Sequence, residues 1–231
     1  MKKLVVLTGA GISAESGIST FRDSNGLWEQ YDVNDVATHE AWYRNKALVT
    51  RFYNERRKQL LNVEPNYGHI GLKELEQWFR VTVITQNVDN LHERAGSSHI
   101  IHLHGELTKV CSENNTDMVY DLTPDKYEVK IGDTAEDGAQ LRPFIVFFNE
   151  PVPMIEAAAK ECEDADIFVI IGTSMNVYPA AGLIHYTPMG IPIFLIDPKE
   201  VTIQHNNVPV IQDVASEGVK KLIKILKEKY I

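Results

Sequence analysis

Several short stretches of the chain hold residue types suited to chemistry rather than to a core. Thr8-Gly9-Ala10-Gly11-Ile12-Ser13-Ala14 follows an apolar run and reads G-x-G-x-x-A. Gly9 suits a tight turn, Gly11 lets the backbone approach a pyrophosphate, and Ala14 lets a helix pack close to its strand. The helix start adds N–H donors and a positive dipole end. By itself the pattern is equally a plain strand-to-helix turn. Phe21 and Arg22 follow closely, a ring that could cover a nicotinamide and a cation that could reach phosphate.

Thr85-Gln86-Asn87-Val88-Asp89-Asn90 ends a second apolar run. Open α/β sheets bind ligands at such strand ends, and carboxamides beside a carboxylate are poor core material. His102-Leu103-His104-Gly105 follows a third, shorter run. Alternation puts both histidines on one face. Either could act as a general base near neutral pH or serve as a hydrogen-bonded structural residue. Gly172-Thr173-Ser174 is another small, hydroxyl-bearing turn suited to phosphate or ribose. Asp197 ends the next strand, where an acid can bind ribose hydroxyls. The usual dinucleotide pattern expects that acid about 20 residues after the glycines, so this is not an ordinary dehydrogenase fingerprint.

The elements that must position these groups alternate. Lys3–Leu7, Val81–Thr85, Phe144–Phe148, Ile167–Ile171 and Ile193–Ile196 are near-continuous apolar runs, as in parallel strands buried on both faces. Lys46–Leu61, His69–Phe79, Met154–Glu163 and Val214–Lys229 read as helices. The expected fold is α/β, a doubly wound parallel sheet with a smaller inserted domain. The main domain is expected at 1–23, 80–105 and 143–231, the small one at 24–79 and 106–142. Ser112–Gln140 holds eight acidic residues against two lysines, a solvated excursion without regular cation-ligand spacing.

The chain has 231 residues, 44% hydrophobic and 24% charged, with a net charge of −9. That length sustains a core without metal or disulfide, and the negative charge disfavours nucleic acid. No apolar run approaches the roughly 20 residues of a membrane span, so no membrane association is expected. Two cysteines, Cys111 and Cys162, make neither a disulfide framework nor a four-cysteine zinc site, and a cytoplasmic location is the expectation.

Taken together, GAGISAESGISTFRD, TQNVDNLHERAG, HLHGEL, LRPFIVFFNEPVP and GTSMNVYPA, in this order across residues 8–180, resemble the sirtuins, NAD-dependent protein-lysine deacylases. The resemblance implies a Rossmann-like NAD-binding domain with NAD as co-substrate. Gly9, Ala10, Gly11, Ile12 and Ser13, with Phe21 and Arg22, would form the NAD loop. Gln86, Asn87 and Val88 would flank the nicotinamide-side ribose, with Asp89 at the carboxamide. His104 would be the base, with Asn87 beside it in the reaction. Gly172, Thr173 and Ser174 would take phosphate and ribose. Asp197, Pro198 and Lys199 fall at the adenosine ribose, although the family more often has asparagine at the first, and Ala215 at adenine. Phe147, Phe148, Asn149 and Glu150 on one side, and Met175 to Val177 on the other, match two strips between which an acyl-lysine peptide adds as a strand.

The implied chemistry is attack of the acyl oxygen on the nicotinamide ribose and loss of nicotinamide. His104 then deprotonates a ribose hydroxyl, giving free lysine and O-acyl-ADP-ribose. An ADP-ribosyltransferase or NAD hydrolase using the same pocket is the alternative; a catalytically silent NAD sensor would not need the Asn87, Asp89 and His104 set. One departure stands out. The family's two C-x-x-C zinc pairs are absent here, with only Cys111 near the first, so no zinc is expected.

The helix through 47–61 adds a specificity signal. Leu48, Val49, Phe52, Tyr53, Arg56 and Leu60 share one face, with Arg51, Glu55, Arg57 and Lys58 off it. Arg56 is the one charge expected there, and burial demands an anionic partner or escape to the edge. Tyr53-x-x-Arg56, with Ala37 upstream, resembles the desuccinylase and demalonylase-type sirtuins. In those, the arginine and tyrosine take the acyl carboxylate and the alanine leaves room, so succinyl-, malonyl- or glutaryl-lysine is the expected substrate.

Overall fold

In the computed structural model, residues 1–18, 31–201 and 208–231 are described. β1 (Lys3–Thr8) is central in a six-stranded parallel sheet. Its order is β3 (Ile100–His102), β2 (Arg80–Thr85), β1, β7 (Ile167–Ile171), β8 (Ile193–Ile196) and β9 (Val210–Ile211). The strand order reverses between β1 and β7, and ligands bind beyond the strand ends at such a point. Register reinforces this: Thr8 pairs with Thr85 on one side and Ile171 on the other. Three strands therefore end level, and their following loops are neighbours.

The apolar runs are continuous because both sheet faces are covered. Leu4 and Val6 face a cluster with Leu72 and Leu75 of α5 (Tyr67–Leu75) and Val219, Leu222 and Leu226 of α8 (Ala215–Tyr230). Val5 and Leu7 face Ala158 and Cys162 of α7 (Ile155–Glu163), and Leu183 and Ile184 of the 3₁₀ segment Ala180–Tyr186. Among the described residues, no helix is long and apolar enough to cross a membrane.

A second, antiparallel sheet has the order β5 (Val119–Asp121), β4 (Gly105–Ser112), β6 (Leu141–Ile145). It packs with α2 (Val33–Val36), α3 (His39–Arg44) and α4 (Lys46–Leu60) around Trp42, Phe52, Tyr53, Leu107 and Phe147. Two expectations need correction. The run Phe144–Phe148 is not a strand of the parallel sheet: β6 pairs antiparallel with β4, and the apolar residues beyond it fill the small core. The segment from 67 to 79 does not belong with the small unit either, because Leu72, Leu75 and Phe79 sit in the large-sheet core. Likewise Gly105 pairs with Ile145 inside the small sheet.

Polar side chains knit the small unit together. Trp42 Nε1 donates to Glu113 at 3.0 Å, and Lys46 reaches the same carboxylate at 2.6 Å. Ser112 donates to Asp137 at 2.6 Å and accepts the N–H groups of Asn114 and Asn115. Asn54 donates to Val129 O at 2.8 Å, tying the acidic segment to α4. Arg57, expected off the buried face, is 3% exposed. Its Nε donates to Leu107 O at 2.8 Å and a terminal nitrogen donates to Asn54 Oδ1 at 2.9 Å, pinning α4 to β4. Burial lowers its pKa to about 10. Arg57→Met keeps the apolar stem but strands the Leu107 carbonyl, so a loss of about 2 kcal/mol is expected. Thermal unfolding should show a Tm drop of roughly 4–8 °C; an unchanged Tm would show the pin to be dispensable.

Candidate functional site

The glycine turn after β1 lies against the turn after β7, backbone on backbone. Gly9 N–H donates to Ile171 O at 3.0 Å and Gly11 N–H to Gly172 O at 2.9 Å. A Cβ on Gly11 would lie 2.6 Å from Gly172 Cα, and Gly172 itself has φ +62°. Side chains at either position are therefore excluded. Ala10 and Gly11 remain half-buried, and Ile12 and Ser13 are buried at the start of α1 (Gly11–Ala14). Phe21 and Arg22 lie outside the described residues.

The loop after β2 joins this turn through side chains. Ser13 Oγ donates to Asp89 Oδ2 at 2.9 Å and accepts from Asn87 Nδ2 at 3.0 Å. Gln86 Nε2 donates to Thr173 Oγ1 at 3.0 Å. Thr85 Oγ1 accepts the Asn87 N–H, and Asp89 Oδ1 accepts the Leu91 N–H. Val88 is half-buried beside the small core. Burial raises the Asp89 pKa, against the Leu91 N–H, the Ser13 hydroxyl and the charges of His102 and Arg56. Beneath lie two histidines that sequence reasoning did not single out. His69 Nε2 is 3.3 Å from Ser13 Oγ, and His92 Nε2 is 3.1 Å from Thr8 Oγ1. Both are fully buried. Burial pulls His69 to about 4 and His92 well below its ordinary value, so both are neutral at pH 7. The available signal was a histidine three and six residues before the core positions Leu72 and Leu75.

His104 is held by Gln86 O, 3.0 Å from its Nδ1. The carbonyl fixes an Nδ1–H tautomer and leaves Nε2 to take a proton. Burial lowers its pKa below the usual 6.5, against that carbonyl. Gly105 then turns with φ +81°, and a Cβ there would meet Phe144 O at 2.1 Å. The glycine after the histidine is thus required by β6.

The other candidates divide. Asp197 Oδ1 accepts the Lys199 N–H in a local turn; Pro198 and Lys199 are exposed, and Ala215 is buried at the start of α8. Ser174 is half-buried beyond Thr173. Phe147 is 1% exposed in the small core, and Glu150 is taken by Arg142 through two bonds of 2.8 and 3.0 Å. Phe148 is 44% exposed. Its N–H donates to Ala37 O, and its O accepts from His39 N–H, a parallel bridge at Thr38. Among the described residues, Asn149 (φ 71°) and Met175 (φ 56°) are the non-glycine residues with positive φ, one on each strip; Val177 is exposed. In α4, the Arg56 guanidinium lies 5.8 Å from the ring centres of both Phe52 and Tyr53. Burial lowers the Arg56 pKa and raises that of Tyr53 to about 12. Ala37 is buried in the same cluster.

A zinc tetrathiolate does not fit. Cys111 is buried in β4, its pKa raised to about 11 by burial, and the other cysteine, Cys162, lies in α7 against the large sheet. A metal-binding thiol must instead ionise.

A family model described as the Sir2 family matches residues 9–179. The chain is 64% identical to an NAD-dependent protein deacylase of Bacteroides thetaiotaomicron over 98% of both chains. The fold superposes on a Sir2 homologue solved with NAD at TM-score 0.86 and 36% identity, over 98% of this chain and 90% of the other. It also matches a Sir2 protein solved with a deacetylated p53 peptide and 3'-O-acetyl ADP ribose, at TM-score 0.80 and 30% identity, over 98% and 93%. The chain belongs to the Sir2 family. It is an NAD-dependent protein deacylase, with NAD as co-substrate.

Three outcomes are expected. His104→Ala should retain NAD binding by calorimetry but lose about 10²-fold or more in deacylation; full activity would remove His104 from the chemistry. With His104 as the base, which acts unprotonated, activity should rise with pH through a pKa below 6.5. Elemental analysis should find no stoichiometric zinc, with Tm unchanged by strong chelators; one tightly held zinc per chain would refute this.

Proposed function

We propose that this deacylase removes acidic acyl groups, succinyl, malonyl or glutaryl, from lysines of extended peptide segments, with acetyl-lysine a poorer substrate. The reading rests on Arg56: a half-buried guanidinium over two aromatic rings, those of Phe52 and Tyr53, with the small Ala37 in the same apolar cluster as those rings. A carboxylate can engage a guanidinium by two parallel charge-assisted bonds. Tyr53 stays a neutral donor at physiological pH, since its pKa lies near 12.

The remaining roles are those that the resemblance implies. NAD supplies the ribosyl acceptor and nicotinamide as leaving group. Gly9 to Ser13 and Gly172 to Ser174, locked together, line the place taken by its phosphates and ribose. Gln86, Asn87 and Asp89 hold the nicotinamide end, with Asn87 and Asp89 bridged by Ser13. His104 Nε2 takes the hydroxyl proton. The peptide adds as a strand between Phe147–Glu150 and Met175–Val177. The left-handed Asn149 and Met175 support that reading, because such backbone strain clusters at ligand clamps.

Arg56→Met should lower kcat/KM for succinyl-lysine peptide by ~10- to 100-fold, while acetyl-lysine turnover falls little or rises. Mass spectrometry of peptide and nucleotide products resolves both reactions. Equal losses, or a wild type that prefers acetyl-lysine, would make Arg56 structural.

A further inference from the structure

His102 sits two residues before His104 and is largely buried, yet it lies outside the proposed proton transfer. Both of its ring nitrogens face acceptors. Nδ1 is 3.1 Å from Asn87 O and Nε2 is 2.6 Å from a Glu93 carboxylate oxygen. Neither acceptor has a proton to give when Glu93 is ionised. A neutral imidazole carries one N–H and can satisfy one of the two; the imidazolium satisfies both. The carboxylate is the stronger acceptor, so on deprotonation the remaining proton goes to Glu93 and the Asn87 carbonyl loses its donor.

The consequence reaches the reaction centre through one residue. Asn87 is the position whose side chain bonds Ser13, which in turn bonds Asp89. Its neighbour Gln86 offers its own carbonyl to His104. Two histidines on one short segment therefore hold two successive carbonyls of the 86–89 loop. We propose that His102, as an imidazolium clamped by Glu93, is a positioning residue that fixes the Asn87 loop for catalysis and is released when it loses its proton.

The groups around His102 agree with that charge. Glu93 comes from the short helix after the loop, α6 (Leu91–Arg94), and Glu106 from β4, with Lys109 of β4 paired to Glu106 at 2.9 Å. Asp89 lies on the loop itself, and His92 of α6 lies beneath it, neutral. Burial disfavours the imidazolium, but Glu93, the Asn87 carbonyl and Glu106 outweigh it and hold the pKa above 6.5. His104, without a carboxylate among the causes of its shift, moves the other way. Activity should then rise through the lower pKa of His104 and fall through the higher one of His102.

The proposal rests on the deacylase reading of Asn87 and His104, and the test separates the two. Deacylation of an acyl-lysine peptide is measured across pH 6–9.5 at saturating and limiting NAD, with Tm and NAD binding recorded for each protein. The wild type should give a bell, losing about 10-fold on its alkaline side, the cost of a modest misplacement of a reacting group. His102→Leu should show that same loss at neutral pH, mainly in kcat. His102→Asn, whose amide can still donate to the Asn87 carbonyl but cannot titrate, should keep most of the neutral rate and lose the alkaline fall. Glu93→Gln should bring the fall to lower pH. A flat alkaline side in an active wild type, or an unchanged fall in His102→Asn, overturns the proposal. A wild type inactive at every pH overturns the deacylase reading instead. If His102→Leu does not fold, His102→Asn and Glu93→Gln still decide.

Discussion

The contact on which the site depends is the backbone-to-backbone seat of the Gly9–Gly11 turn on Gly172. Two N–H groups of the first turn are taken up by carbonyls at the end of β7. No side chain fits at Gly11 or Gly172. The closeness follows from the sheet. β1 and β7 are adjacent, parallel and in register to their last residues, so the chain leaves both strands at the same height. A reversal of strand order in an open α/β sheet parts the two loops and opens a crevice; here the glycines narrow it to the width of a backbone. Everything polar then gathers at one rim. Gln86 bonds Thr173 across the seat, and Asn87 and Asp89 bond Ser13 above it.

That arrangement is costly to bury and is paired accordingly. Asp89 and Asn87 are nearly inaccessible, and an unpartnered buried carboxylate would protonate. Ser13 relieves the conflict by donating to Asp89 while accepting from Asn87. The histidines nearby show how environment divides one residue type among several duties. His69 and His92 stay neutral because burial dominates their surroundings. His104 keeps a free nitrogen because a carbonyl holds the other. The His102 pKa is raised above its ordinary value, with a carboxylate 2.6 Å away. Sequence alone singled out His102 and His104 by their place at a strand end and gave no sign of how His69 and His92 are buried beneath the loop.

What could be read from sequence followed the same logic. Buried parallel strands show as unbroken apolar runs, so β1, β2, β7 and β8 were legible, as were the loops at their ends. Phe144–Phe148 has the same apolar look for another reason: Ile145 and Phe147 fill the small core beside Trp42 and Tyr53. Periodicity placed Arg56 on the inner face of α4 but put Arg57 outside it. The structure buries Arg57 because β4 offers a carbonyl at the edge of the stripe, a tertiary fact with no local signature. The Phe147–Glu150 strip was found by resemblance, but which side chains point outward was not. Phe147 and Glu150 turn inward to the core and to Arg142, leaving Phe148 exposed.

The small unit is fastened by many separate side-chain contacts. A zinc tetrathiolate would fasten strands at one point. Here the fastening is distributed. Arg57 and Asn54 tie α4 to β4 and to Val129, Glu113 collects Trp42 and Lys46, and Arg142 grips Glu150 while lying 4.2 Å over the Phe147 ring. The last of these also sets the strip carrying Phe148 beside Ala37 and His39. Each bond is worth about 1 kcal/mol or somewhat more, and no single one needs to dominate. Because the same contacts hold the wall that carries Tyr53 and Arg56, the groups that stabilise the small unit also set where those two side chains stand relative to the loops after β1, β2 and β7.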